Sequence, residues 1–160
     1  MKKIEPIRYE DGRPMLLAGI RQHHGFTEAV NTIPEQWKGF HALEKIPGQI
    51  EGVAYGVICG HDAAAGTFEY MCGIEVESFD ALPTEVGRIR IHAQHYAVFL
   101  HSGHISDIRI TCQRIWNEWL PNSSYQSANK PDFEKYDHRF NRGTKSGEVE
   151  FWLSIADKVV

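Results

Sequence analysis

The sequence has few of the features that mark nucleic-acid-binding or membrane proteins. Its 17 lysines and arginines are outnumbered by 21 aspartates and glutamates, which gives a net charge of −4. They form no basic cluster of the kind that nucleic acid requires, so we expect no direct nucleic-acid binding. No apolar run approaches the roughly 20 residues of a membrane-spanning helix. The polar N-terminus does not resemble a signal peptide, which favours a cytoplasmic location.

Cysteine and recognised catalytic motifs are also scarce. Cys59, Cys72 and Cys112 are widely spaced and odd in number, which fits neither a disulfide framework nor a zinc site and favours a reducing compartment. Nine histidines are present, but their spacing, even around His92 and His95, matches no metal-ligand pattern. The sequence lacks HExxH, G-x-S-x-G and a phosphate-binding loop. We therefore predict no cofactor, no metal site and no catalytic residue.

What is present is the material for one domain of 160 residues, 42% of them apolar. Periodicity predicts two halves, about 13–78 and 87–157, after an arm of about ten residues. Alternation predicts strands over 15–22, 53–60, 67–77, 89–100 with a bulge at 93–94, 131–136 and 148–155. The strands 67–77 and 148–155 carry apolar residues on one face, so we expect both to be half-buried. Helical spacing predicts helices over 33–45, with Pro34 in the first turn, and 105–119.

The order strand, helix, strand, strand thus occurs twice. It predicts an α+β fold in which two helices lie on one face of a sheet made by two duplicated halves. The halves are expected to meet either by parallel strand pairing or in an antiparallel sheet with pseudo-twofold symmetry. A ligand cleft is expected between them, because junctions of this kind are favoured pocket sites.

The segment from Pro131 to Tyr136 carries the most informative residues. If it is a strand, Glu134 and Tyr136 share one face. A carboxylate beside aromatic rings suits a large apolar ligand with a positive charge. The alternative is that Glu134 lies on the solvent face and pairs with a lysine or arginine, since carboxylates are rarely buried unless paired.

The chain is rich in aromatic residues, with four tryptophans, six tyrosines and eight phenylalanines. Any one of them can simply belong to the core. As a set around the glutamate, they predict a cleft for cationic amphipathic small molecules. The predicted ligand-binding residues are Glu134, Tyr136, Tyr55, Tyr70, Met71, Trp37, Phe40, Trp116 and Phe151.

Several sequence blocks resemble the gyrase-inhibitor-like small-molecule-binding domain, which occurs as the effector-binding domain of AraC- and MerR-type transcription regulators and also alone. The resemblance covers about residues 13–157 and depends on the order of the blocks. They are Tyr55-Gly56-Val57, Phe68-Glu69-Tyr70, Gly73-Ile74-Glu75-Val76, the stretch from Tyr96 to Gly103, the stretch from Trp116 to Pro121, Phe133-Glu134-Lys135-Tyr136, and the stretch from Glu148 to Leu153.

The resemblance implies a duplicated fold with a central cleft and places Glu134 where multidrug-binding members have a buried glutamate. The chain is also similar to stand-alone cationic-drug-binding proteins encoded on integron cassettes. Nothing before residue 13 has room for a helix-turn-helix, so we expect no DNA-binding domain and a role in sensing or sequestration. Two alternatives remain open: a hydrolase of reactive natural products that uses Glu134 with Tyr136 or Tyr55, and a protein-binding adaptor such as a gyrase modulator. Exposed sheet edges also permit a homodimer or a separate regulatory partner.

Overall fold

A computed structural model describes residues 2–43 and 45–159, and in these ranges the strands form a curled antiparallel sheet with helices on one face. The strands are β1 (Arg8–Gly12), β2 (Met15–Gly25), β3 (Gln49–Asp62), β4 (Thr67–Val76), β5 (Gly87–Ile91), β6 (Gln94–His104), β7 (Tyr125–Ser127), β8 (Asp132–Tyr136), β9 (Phe140–Asn141) and β10 (Ser146–Asp157). The helices are α1 (Ala29–His41), α2 (Ile108–Arg114) and α3 (Leu120–Asn122). A 3₁₀ turn (Ile105–Asp107) precedes α2, and a π-helical turn (Ile115–Trp119) joins α2 to α3.

The strand order is β1-β6-β10-β8-β3-β4-β2-β5. From the centre of the sheet outward, the strand order is β3-β4-β2-β5 on one side and β8-β10-β6-β1 on the other. Strands at corresponding positions in the chain therefore lie at corresponding positions on the two sides of the sheet. The central strands β3 and β8 pair antiparallel, with Gly56 opposite Glu134. The predicted α+β class is confirmed, and the alternative of parallel pairing between the halves is wrong. The pseudo-twofold symmetry stays a prediction, which the strand order favours.

The two helical segments lie on the same face of the sheet, as predicted. Helix α1 contacts β2 and β4, whereas α2 contacts β6. Ile115 and Trp119 bury their side chains in a cluster with Phe99 and Phe151 on the α2 side. Phe40 of α1 packs against a second cluster of buried residues, on the α1 side of the same face. The central strands β3 and β8 therefore lie between the two helices.

The other face of the sheet packs on itself, because the sheet is curled. Its cluster of buried residues includes Val57, Met71 and Phe133. Consequently β4 and β10 are buried on both faces, and the expectation that they are half-buried is wrong. Acidic residues on this second face are tolerated because Glu75 and Glu150 form ion pairs with arginines.

The element boundaries differ from the predictions in three places. The predicted arm contains β1, which pairs with β6. Helix α1 begins at Ala29, so Pro34 lies inside the helix, and the N-cap residue Glu28 makes no side-chain capping bond that would mark the start. The predicted long strand 89–100 is two strands, β5 and β6, which pair with different neighbours. Glu44, which belonged to the predicted first helix, lies outside the described residues.

In the part of the chain that the structure describes, no helix is long and apolar enough to cross a membrane.

Candidate functional site

The centre of the sheet carries a buried carboxylate that is held by two phenols. Glu134 lies on β8, on the helix-bearing face, and its exposed fraction is 8%. The hydroxyls of Tyr70 and Tyr136 both donate to its Oε1 atom at 2.6 Å. Trp37, on α1, donates from Nε1 to the hydroxyl oxygen of Tyr70 at 3.2 Å. The predicted shared face of Glu134 and Tyr136 is therefore confirmed, and helix α1 closes one side of the group.

A glycine makes this arrangement possible. Tyr70 lies on β4 and Glu134 on β8, and β3 runs between these two strands with Gly56 opposite Glu134. A Cβ atom at Gly56 would overlap the Tyr70 hydroxyl and would lie 2.5 Å from Oε1 of Glu134. Because Gly56 has no side chain, the Tyr70 hydroxyl and the Glu134 carboxylate can approach each other across β3.

The electrostatics of the group make the ionised form of Glu134 less favourable than that of an exposed carboxylate. Burial raises the pKa of Glu134, and the hydrogen bonds from Tyr136 and Tyr70 only partly oppose that shift. The pKa values of both tyrosines are raised well above the usual range, first by burial and then by the charge of Glu134. The phenols therefore remain hydrogen-bond donors at all ordinary pH values.

Two of the other buried carboxylates, Glu75 and Glu150, have arginine partners, whereas Glu134 and Asp132 do not in the described part of the chain. One oxygen of Asp132 accepts hydrogen bonds from the backbone N–H and the hydroxyl of Ser154. Glu150 contacts both Arg8 and Arg139, and these contacts outweigh burial and lower its pKa to about 2. Glu75 receives two hydrogen bonds from Arg13. Within residues 2–43 and 45–159, Glu134 forms no ion pair, and both of its hydrogen bonds go to a single oxygen.

A cavity of about 400 Å³ lies beside this group. Tyr136 is one of its walls, and Phe40 and Phe140 contribute further aromatic surface. Trp37 packs edge-on against Tyr136, with ring centroids 5.3 Å apart, and against Phe40 at 5.6 Å. Phe140, at 5.1 Å from Tyr136, did not emerge from the sequence because no pattern assigns residues 137–141 to a strand or helix.

Residues 12–155 match the model of a family described as integron-associated effector binding proteins. The chain belongs to this family. A relative of this effector-binding chain is the transcriptional regulator BrlR of Pseudomonas aeruginosa, which is 35% identical over 129 residues. The match covers 78% of the chain but 47% of BrlR, so the chain spans about half the length of this curated relative.

Solved structures share the fold of this effector-binding chain. SAV2435 bound to tetraphenylphosphonium has a TM-score of 0.73 at 15% identity, and the match covers 93% of each chain. An integron cassette protein from the mobile metagenome of Vibrio cholerae has a TM-score of 0.69 at 17% identity, covering 96% of this chain and 97% of that one. A protein named as a hydrolase from Listeria innocua is more distant, with a TM-score of 0.57 at 10% identity, covering 96% and 93% of the two chains. Likeness at these identities concerns the fold alone.

Within this effector-binding fold, most of the predicted ligand-binding residues lie around Glu134. Tyr136, Tyr70, Trp37 and Phe40 form the connected group described above. Phe151 is the residue opposite Glu134 on β10, but it is fully buried and packs in the cluster under α2.

Three of the predicted residues lie elsewhere. Tyr55 is opposite Lys135, and Met71 is opposite Val57, so both point to the face away from Glu134. Tyr70 and Met71 are adjacent in sequence, so the alternation of side chains along a strand places them on opposite faces. Trp116 lies on the outer side of the π-helical turn and is 37% exposed.

The cysteines and histidines form no second site for chemistry. In the described ranges there is no group of three His, Cys, Asp or Glu residues that is able to hold a metal ion. Burial raises the pKa of Cys59 to about 11 and also raises the pKa of Cys72 and of Cys112, so the three thiols stay protonated and poorly nucleophilic.

Proposed function

We propose that this effector-binding chain is a small-molecule-binding module for bulky lipophilic cations, with Glu134 as the counter-charge. One observation carries the proposal. Glu134 is a buried carboxylate that has no basic partner in the described part of the chain, and only one of its oxygens accepts hydrogen bonds.

A cationic ligand supplies what this carboxylate lacks. Burying a charge without a partner is costly, and free Glu134 avoids much of that cost by taking up a proton. A cation that enters the site restores the ionised form and gains an electrostatic interaction that water screens little. The rings of Trp37, Tyr136 and Phe40 add aromatic surface, whose faces attract cations and whose faces and edges both pack against apolar groups.

The cavity beside the group is of the right size for such a ligand. Its 400 Å³ falls in the range of pockets that hold drug-sized molecules. Tetraphenylphosphonium, the compound bound to SAV2435 in the structure of that protein, is a lipophilic cation of this size class. Tyr136 lines the cavity and also binds Glu134, so we propose that its side chain turns aside when a cation reaches the carboxylate.

The proposed role is sensing or sequestration of the ligand. The hydrolytic alternative loses one of its two candidate tyrosines, because Tyr55 lies on the opposite face from Glu134. In the adaptor alternative, the chain binds another protein and Glu134 has no ligand. The test below separates the adaptor alternative from the proposal.

The test compares tetraphenylphosphonium with tetraphenylborate, which has nearly the same shape and the opposite charge. Quenching of tryptophan fluorescence is titrated for the wild type, Glu134→Gln and Glu69→Gln. Glu69 is a matched control, because it lies beside Tyr70 in sequence but on the other face, where it pairs with Arg21. Both variants replace a glutamate with its neutral amide of nearly the same shape.

We expect the phosphonium to bind at micromolar concentration and the borate to bind at least tenfold more weakly. Glu134→Gln should weaken phosphonium binding at least tenfold, about 1.4 kcal/mol, while Glu69→Gln leaves it nearly unchanged. Equal binding of the two ions, or equal effects of the two variants, would sink the proposal. No binding of either ion would favour the adaptor.

A further inference from the structure

A second cavity lies on the opposite face of the sheet, and the proposed cation site makes no use of it. Its volume is about 270 Å³. The floor is aromatic, since Phe133 stacks on Trp152 with ring centroids 5.2 Å apart. Tyr55 and Tyr96 both pack edge-on against Phe133, at 5.5 and 5.4 Å. This second cavity shares strand β8 with the first site but none of its side chains.

The polar groups of the second cavity include two phenols without a protein partner. Tyr55 and Tyr96 are 5% and 2% exposed. In the described ranges, neither hydroxyl takes part in a hydrogen bond with the protein, in contrast to Tyr70 and Tyr136, which both bind Glu134. Within the described ranges no buried side-chain oxygen lacks a partner, so neither of these hydroxyl oxygens is fully buried, and both are available to a ligand or to water.

The charged side chains that line the second cavity have hydrogen-bonded partners, with one exception. Arg13 binds Glu75, Glu10 binds Arg8, and Asp11 contacts His95. Lys135 also lines the cavity, and its Nζ atom lies 5.5 Å from the centroid of the Trp152 ring. In the part of the chain that the structure describes, Lys135 has no carboxylate partner.

We propose that the second cavity binds a small aromatic carboxylate. The ring of the ligand would lie on Phe133 and Trp152, and its carboxylate would accept hydrogen bonds from Lys135 and from the hydroxyls of Tyr55 and Tyr96. A single ring suits the volume, which is smaller than that of pockets for drug-sized molecules. Strand β8 then presents opposite charges on its two faces, Glu134 towards a cation and Lys135 towards an anion. This site does not depend on the proposed cation function.

The test uses three probes of similar shape: benzoate, neutral benzamide and cationic benzylamine. Binding is followed by the indole N–H resonances in ¹H–¹⁵N correlation spectra. Trp152 reports on the second cavity and Trp37 on the cleft at Glu134. The variants are Lys135→Met, which keeps the aliphatic stem, Tyr96→Phe, which keeps the ring, and Lys130→Met as a control at an exposed lysine.

We expect benzoate to shift the Trp152 resonance and to leave Trp37 in place, with benzamide and benzylamine binding at least tenfold more weakly. Lys135→Met should raise the Kd for benzoate at least tenfold and Tyr96→Phe several-fold, whereas Lys130→Met should not change it. The proposal is overturned if benzoate leaves Trp152 unshifted, if the three probes bind equally, or if the two lysine variants behave alike. Thermal unfolding of each variant shows whether it is folded, and Tyr96→Phe provides the test if Lys135→Met is not.

Discussion

At the scale of single residues, Gly56 is a position of the site where a side chain has no room. A Cβ atom there overlaps the Tyr70 hydroxyl and crowds Oε1 of Glu134. Gly60 is on the same strand, and a Cβ at that position meets no atom within 4 Å. The two glycines therefore form a matched pair for measuring what the close approach is worth.

We predict that Gly56→Ala lowers the free energy of unfolding by about 1–3 kcal/mol, because the added methyl group forces apart groups that are already packed. Gly60→Ala should change it by less than about 0.5 kcal/mol. Urea unfolding of both variants checks this, and phosphonium binding should fall in Gly56→Ala alone. Equal stability of the two variants would mean that the Tyr70–Glu134 contact adjusts without cost.

Much of the chemistry at residue scale is accessible from the sequence. The alternation of Glu134 with Lys135 and Tyr136 on a short strand is enough to place the carboxylate beside a phenol. The second phenol, Tyr70, lies 64 positions away, and its contact depends on the register of β3 between the two partners. No local pattern reports that register, which is why the sequence does not show that Tyr55 faces away from Glu134, whereas alternation alone separates Met71 from Tyr70.

At the scale of secondary structure, helix α1 is fixed to the sheet by a buried glutamine. Gln36 is 4% exposed, and its Nε2 atom donates to the carbonyl oxygens of Ile20 and Tyr70, both at 2.9 Å. Its Oε1 atom accepts from Nε2 of His24 at 2.5 Å. The next residue is Trp37, which donates to the Tyr70 hydroxyl, so this attachment also positions the ring that packs against Tyr136, a wall of the cavity.

We predict that Gln36→Leu lowers the free energy of unfolding by about 2–4 kcal/mol, because two carbonyls and a histidine ring nitrogen lose their partner in a buried place. Gln113→Leu, at an exposed position on α2, should change it by less than about 0.5 kcal/mol. Thermal and urea unfolding measure both values. A loss below 1 kcal/mol in Gln36→Leu would show that the attachment of α1 comes from apolar packing alone.

The helices and strands themselves are largely predictable, and their ends are not. Apolar spacing predicts the 105–119 helix, although it contains a 3₁₀ turn and a π-helical turn that no spacing rule resolves. The burial of both faces of β4 and β10 escapes prediction for a different reason. Alternation reports which residues share a face, but only the curl of the sheet decides whether the second face is covered.

At the scale of the whole molecule, the curled sheet separates two cavities that lie on opposite faces of one strand. The cavity lined by Tyr136 lies on the helix-bearing face, and the cavity lined by Lys135 lies on the face that packs on itself. Both depend on strand β8, which lies at the centre of the sheet next to β3. The predicted duplication of the element order would account for the central position of this strand.

The central claim is that the ionised form of Glu134 binds the cation, and the pH dependence of binding tests it most directly. Burial raises the pKa of Glu134 in the free protein, so below that pKa a bound cation must displace a proton. Tetraphenylphosphonium has no proton to lose, and therefore any change in its affinity comes from the protein. His41 also lines the cavity, and its pKa is lowered by burial and by Arg142.

The measurement is the Kd of tetraphenylphosphonium between pH 5 and pH 9 for the wild type and for Glu134→Gln. The variant retains His41, so the difference between the two proteins isolates Glu134. We predict that wild-type affinity rises with pH, by at most tenfold per pH unit, up to the raised pKa of Glu134 and then levels off. The affinity of the variant should lack this rise. The same pH dependence in both proteins would contradict the account, because it would mean that Glu134 is not the group that meets the cation.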